Sequence, residues 1–153
     1  MRNLHYQPGV KWWKGDSYDK NELGIKYESG PFLITEGLIR KFNDISHIKS
    51  QIKESETLMT VPIQICNLFM PSLNRPNIKL KFGNSLFFAG QTIDFLSDIK
   101  IGDSLTATTN LSKVYSKTGR SGKMVFIEWE TSFKSQAGNL VSNIKESFVK
   151  IKV

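Results

Sequence analysis

Two side chains in this sequence combine the type and the spacing needed for acid–base chemistry. Asp44 and His47 stand in Asn43-Asp44-Ile45-Ser46-His47, and of the two histidines His47 is the one beside a carboxylate. At i and i+3 of a helix the two side chains share a face and can touch. A carboxylate that orients an imidazole leaves its other nitrogen free to accept or donate a proton near neutral pH. The same pair also fits a solvated helix face, or an aspartate that caps a helix end. His5 lies in an N-terminal arm with no acidic neighbour.

Other residues suggest binding. Ala89-Gly90 interrupts a strand-like run otherwise made of Leu86, Phe87, Phe88, Ile93 and Phe95. Small residues there mark either close approach of a ligand or backbone, or a bulge. Phe69, Met70, Phe87 and Phe88 could line an apolar tunnel, or simply fill a core. Lys117, Arg120 and Lys123 surround the turn of Gly119 and Gly122, where they could meet phosphate groups or remain a solvated tip. Cys66, the one cysteine, stands in the apolar run 61–70 with no partner for a disulfide or a metal. It reads as a small buried hydrophobe, and neither a metal nor a cofactor is expected.

The elements that must position these groups follow from periodicity. Residues 1–22 form an arm in which Trp12 and Trp13, being adjacent, cannot both enter one core face. Strand-like sequence over 23–34 is broken at Ser29-Gly30-Pro31, which predicts a bend. Thr35 fits an N-cap, and Leu38, Ile39, Phe42 and Ile45 recur at helical spacing, predicting a helix over 36–44. Ile48 and Ile52 could extend it. Pro62 suits a first helical turn, and the apolar residues from Ile63 to Met70 predict a buried helix that stops at Pro71. A loop covers 72–77. The remainder reads as strands over 80–82, 86–96, 105–117, 123–134 and 139–153, with glycine turns that make the pairing antiparallel. In the run 123–134, Val125, Ile127, Trp129 and Phe133 share one face and Glu128, Glu130 and Ser132 the other. A long antiparallel sheet wrapped around a buried helix is an α+β, hot-dog arrangement. Such a sheet leaves an edge that dimerisation commonly covers.

At 153 residues the chain is near the usual size of one domain, so 1–153 is read as a single hot-dog domain with its arm. Its 39% hydrophobic and 23% charged residues describe an ordinary globular composition. No run is long enough to span a bilayer and the first residues lack a signal-peptide core, so a cytoplasmic protein without membrane contact is expected. The net charge of +7 is spread as single lysines rather than as one block. That favours a solvated surface over a nucleic-acid footprint.

From position 87 onward, ordered residues carry a resemblance. Gly90-Gln91, Gly102-Asp103-Ser-Leu105-Thr106, Val114 to Lys117, Gly119-Arg120-Ser-Gly122, Glu130-Thr131 and Gln136-Ala-Gly138 stand in sequence. With the residues between them they resemble the N-terminal half of MaoC-like dehydratases, also called the FAS1-like dehydratase domain. The resemblance extends over about 24–152. It implies a hot-dog domain acting on hydroxyacyl or enoyl thioesters of coenzyme A or acyl carrier protein, adding or removing water between the α and β carbons. It also implies an Asp and a His that handle water and proton, and an N–H at a helix N-terminus for the thioester oxyanion; with coenzyme A as carrier, the phosphates that Lys117 and Arg120 could meet would be its own. The family segment resembles Gly-Asp-x-Asn-Pro-x-His. Here no Gly precedes Asp44, Asn-Pro is missing, and His47 follows three residues after the Asp rather than five. Several such halves shape the acyl tunnel while a second hot-dog subunit supplies catalysis. The expectation is therefore an acyl-binding subunit, as a homodimer or with a second hot-dog chain, whose catalysis is weak or partner-dependent. A non-enzymatic acyl or hydrophobic-ligand module and an acyl-CoA thioesterase are the alternatives.

Overall fold

The computed structural model describes residues 18–46 and 61–153. His5, Trp12, Trp13, His47 and the extension of the helix through Ile48 and Ile52 lie outside the described residues. The order of elements is a 3-10 turn at Lys20–Glu22, β1 (Tyr27–Leu33), α1 (Glu36–Ser46), 3-10 helices at Ile63–Leu68 and Met70–Ser72, then β2 (Ser85–Phe95), β3 (Ser104–Gly119), β4 (Gly122–Lys134) and β5 (Leu140–Ile151). The five strands form one antiparallel sheet in the order β1-β3-β4-β5-β2.

Local chemistry explains most boundaries. In β1 the register against β3 shifts between Ser29 and Phe32, across Gly30-Pro31, so the bend falls where the sequence predicts it. The Thr35 hydroxyl accepts from the Leu38 N–H at 3.1 Å, capping α1. Ile39 and Phe42 are buried on its inner face, while Arg40 and Glu36 pair at 2.7 Å on the exposed one. The β3–β4 hairpin closes with Gly119 opposite Gly122, and Gly122 adopts φ +101°, a left-handed conformation that suits glycine.

Two expectations change. The predicted buried helix after Pro62 is not one α-helix but two short 3-10 stretches. Pro62 itself stays extended, at ψ 136°, and caps the first stretch without a side-chain bond. Pro71 has no N–H for an α-helical bond and disfavours α geometry at Met70, so too few residues remain between the prolines for a stable helix. Burial follows the expectation only in part: Ile65, Cys66, Phe69 and Met70 are inside, whereas Ile63 is exposed. The predicted strand at Leu80–Phe82 does not form. Lys79 has φ 54°, which breaks extended geometry, and the Leu80 carbonyl accepts from the Lys150 ammonium at 3.4 Å rather than from a strand. Gly83 then passes so close to β5 that an added Cβ would lie 2.5 Å from the Ile151 carbonyl oxygen.

The inward face of the sheet carries two apolar clusters. One joins Ile34, Ile39, Phe42, Ile65, Phe69, Leu105, Phe133, Val141 and Ile144 beneath α1 and the 3-10 helices. The other joins Ile78, Leu111, Val114, Val125, Ile127 and Trp129 beneath the segment 78–82. On β3 and β4, paired Thr109 and Thr131 lie between them, their hydroxyls 3.0 Å apart and buried. No described helix is long and apolar enough to cross a membrane.

Candidate functional site

The residues named from sequence distribute over both ends and both faces of the sheet. Asp44 is exposed near the C-terminal end of α1. Ala89 and Gly90 lie on β2, an outer strand of the sheet. Pairing with β5 shifts between Phe88 and Gly90, which leaves Ala89 as a bulge, and a Cβ placed on Gly90 meets nothing within 4 Å. Of the two meanings of this small pair, the bulge is what the chain displays, and the space beside Gly90 is open. Next to it, the Gln91 side-chain amide donates to the Asn67 side-chain oxygen at 3.0 Å. The 3-10 helix carrying Asn67 also touches α1. Through that short element α1 and the strand that carries the Ala89-Gly90 bulge are connected.

Phe69 is buried, stacked on Phe32 at 4.5 Å and tilted against Phe133 at 6.2 Å. Lys117 and Arg120 stand at the opposite end. Lys117 pairs with Met124, which pairs with Ile151, which pairs with Ser85 at the start of β2. Its ammonium lies 5.5 and 5.4 Å from the stacked rings of Tyr115 and Phe126, on the outer face away from the buried Val114 and Ser116. Arg120 is exposed at the hairpin tip. The structure does not bring these two cations to α1 or to the bulge.

A charged site missed in the sequence lies on the inner face. Glu146 of β5, 7% exposed, accepts from the Arg75 guanidinium in a short ion pair. Burial pushes its carboxyl above the usual carboxylate range, against the lowering effect of Arg75. Arg75 also faces the rings of Trp129 and Phe148, at 5.9 and 5.8 Å, and its Nε is buried without a hydrogen-bond partner. One signal was available: Glu146 is in phase with Ser142, Ile144 and Phe148, so strand alternation turns it inward. Its cation, seventy-one positions away, had no such signal. Beside this pair a groove of about 610 Å³ opens between the segment 76–81 and the sheet, reaching Leu86, Ile127, Trp129 and Lys150.

Cys66 supplies no nucleophile. Burial pushes its thiol up to about 11, opposed by the Ser142 hydroxyl, which donates to the sulfur at 3.6 Å.

Comparison with known proteins addresses the scaffold. A model of the FAS1-like dehydratase domain region matches residues 21–144. Among curated proteins compared by sequence, none matches. Solved structures that are similar include the R-hydratase PhaJ1 from Pseudomonas aeruginosa, at 18% identity and TM-score 0.55, covering 86% of this chain and 83% of that one. The HadBC (3R-hydroxyacyl-ACP dehydratase) complex from Mycobacterium tuberculosis matches at 14% and 0.61, covering 86% and 98%. The ChsH1-ChsH2 complex from the same organism matches at 11% and 0.65, covering 82% and 89%. At these identities the structures establish the fold, and the domain match spans most of the sequence: the chain belongs to the FAS1-like dehydratase domain family, and its five-stranded antiparallel sheet with α1 is a hot-dog fold.

Proposed function

We propose that this chain is an acyl-thioester-binding dehydratase subunit that works beside a second hot-dog subunit, either a copy of itself or a different chain. The observation that carries the proposal is β2. Among the described residues it is an outer strand with no strand neighbour on one side of its backbone, and it exposes Phe87 and Phe88 at 51 and 58%. An apolar outer strand is a template for strand addition and costs solubility unless covered. Two of the similar structures are complexes of two named subunits, HadBC and ChsH1-ChsH2, which supports pairing as the cover.

The substrate would be a hydroxyacyl or enoyl thioester of coenzyme A or acyl carrier protein, in keeping with the family. Asp44 and His47 are the candidate acid–base pair: the imidazole would take a proton from water as its oxygen bonds to the β carbon, the α,β π electrons would move toward the thioester carbonyl, and the proton would then be returned to the α carbon. Ala89-Gly90 and Phe69 are the candidate acyl-side residues, and Lys117 and Arg120 the candidate phosphate contacts. A cytoplasmic location suits this chemistry.

Calorimetry with butyryl-CoA and a hydration assay with crotonyl-CoA test the proposal together. Binding by the purified chain, with hydration slow alone and raised by a partner subunit, is the expected result. Fast hydration by the lone chain that disappears in His47→Ala overturns the need for a different partner chain and makes the protein a complete enzyme. Normal folding without any thioester binding overturns the substrate class, and release of free thiol would point to a thioesterase instead.

A further inference from the structure

We infer that the groove beneath segment 76–81 is a second binding site, for an amphipathic anion: an alkyl chain that ends in a phosphate or carboxylate. Three observations lead there. Its floor is apolar, made by Leu86 of β2 and Ile127 and Trp129 of β4. Its rim holds Lys79, Lys81 and Lys150, and among the described residues no acidic side chain lines it. Its volume of about 610 Å³ lies within the range of small-molecule sites, roughly 300–1,000 Å³.

The shape favours a chain over a compact ion. Leu86 is in the row of Lys150 and Val125, and Trp129 is four positions further along β4. At roughly 3.3 Å per residue the floor extends about 13 Å along the strands. An extended alkyl tail covers such a strip, while inorganic phosphate alone would leave it wet. Lys150 already donates to the Leu80 carbonyl at 3.4 Å. An ammonium carries three N–H donors, so it can hold the segment and still meet an anion. Arg75 fixes the wall from below, being bonded to Glu146 and set against Trp129.

The site is separate from the one proposed above. The groove is lined by residues of the second apolar cluster and of its covering segment, whereas Ile39 and Phe42 of α1, the helix that carries Asp44, belong to the first. Its occupancy does not depend on thioester chemistry, so the two readings fail independently.

The test is calorimetry of the full chain with decyl phosphate below its micelle concentration, beside decyltrimethylammonium and inorganic phosphate. Decyl phosphate is expected to bind at least tenfold more tightly than either control. The double variant Lys81→Glu, Lys150→Glu should weaken it tenfold or more, while butyryl-CoA affinity stays unchanged. Because Lys150 braces the segment, exposed Lys79→Glu serves as a second variant, with a loss of at least threefold expected. Equal affinity for the cationic and anionic amphiphiles, or unchanged affinity in Lys79→Glu with native circular dichroism, overturns the inference. Loss of butyryl-CoA binding together with decyl phosphate in the double variant would mean one shared site and also overturns it.

Discussion

One sheet face is roofed in two different ways. The half under α1 is closed by a capped helix and two proline-bounded turns, and its interior joins Ile39, Phe42, Ile65, Phe69 and Phe133. The half under 73–84 is roofed by irregular chain held by polar anchors. There the Asn74 N–H donates to the Ser29 hydroxyl at 2.7 Å, the Asn74 amide to the Glu28 carbonyl at 2.6 Å, and Arg75 to Glu146. Helices satisfy their own backbone and can shut a core with side chains alone. Irregular chain cannot, so its roof needs side-chain bonds and leaves a groove with a lysine rim. The difference separates a half built for stability from a half whose lining can be varied.

The largest effect should come from breaking the closed half. Phe133→Ala removes a fully buried ring that touches Phe69 and should cost about 3–5 kcal/mol in urea unfolding. A loss of only about 1 kcal/mol would show that α1 and its neighbours collapse to fill the space, and the contrast would weaken.

Next comes the anchor of the open half. Glu146→Ala leaves a half-buried Arg75 without its carboxylate and should cost about 3 kcal/mol, whereas the double replacement Arg75→Met, Glu146→Leu should recover most of that loss. The pair also predicts a pH dependence. Because burial holds the Glu146 carboxyl above the ordinary 4.5, the folded state keeps that proton more tightly than the unfolded chain. Its contribution is then most favourable below the ordinary pKa and declines as pH rises through the raised value. Wild-type stability relative to Glu146→Gln should therefore fall as pH rises above the ordinary 4.5, and a rise there would show Arg75 to dominate.

Smaller effects sit at the boundary and at the cap. Thr131→Val leaves the Thr109 hydroxyl without its 3.0 Å partner and should cost about 1–2 kcal/mol. Thr35→Ala removes the cap of α1 at about 1 kcal/mol, seen as a lower melting temperature. The least effect is expected at Cys66, whose buried thiol should react with a thiol reagent only after denaturant is added.

How legible these halves were differs for a physical reason. Strands β3, β4 and β5 are joined in turn by short glycine turns, and β3 and β4 alternate in burial, so this part of the sheet could be read from alternation and turn chemistry alone, whereas the crossover after Phe95 that sets β2 beside β5 rather than β3 could not. Helix α1 was legible for the same kind of reason: Thr35, Ile39 and Phe42 state its start and its inner face. Periodicity failed between Pro62 and Gly83, where prolines and a left-handed Lys79 override local pattern. The predicted strand at 80–82 and the predicted single helix after Pro62 both fell there. The candidate site was only partly legible, because Asp44, Ala89 and Gly90 could be named from type and spacing while their neighbours could not. Asn67 beside Gln91 is a long-range contact that no local rule announces.

By itself, the sequence determined the antiparallel run of β3, β4 and β5, the capped helix and the membership in a dehydratase family, all of which rest on local spacing or on ordered residues. Tertiary structure alone decided that Arg75 meets Glu146, that Lys117 and Arg120 stand far from α1, and that Lys79, Lys81 and Lys150 rim one groove. Each of these is a pairing of distant segments. Local propensity sets which face a side chain takes, and only packing sets what waits on the other side.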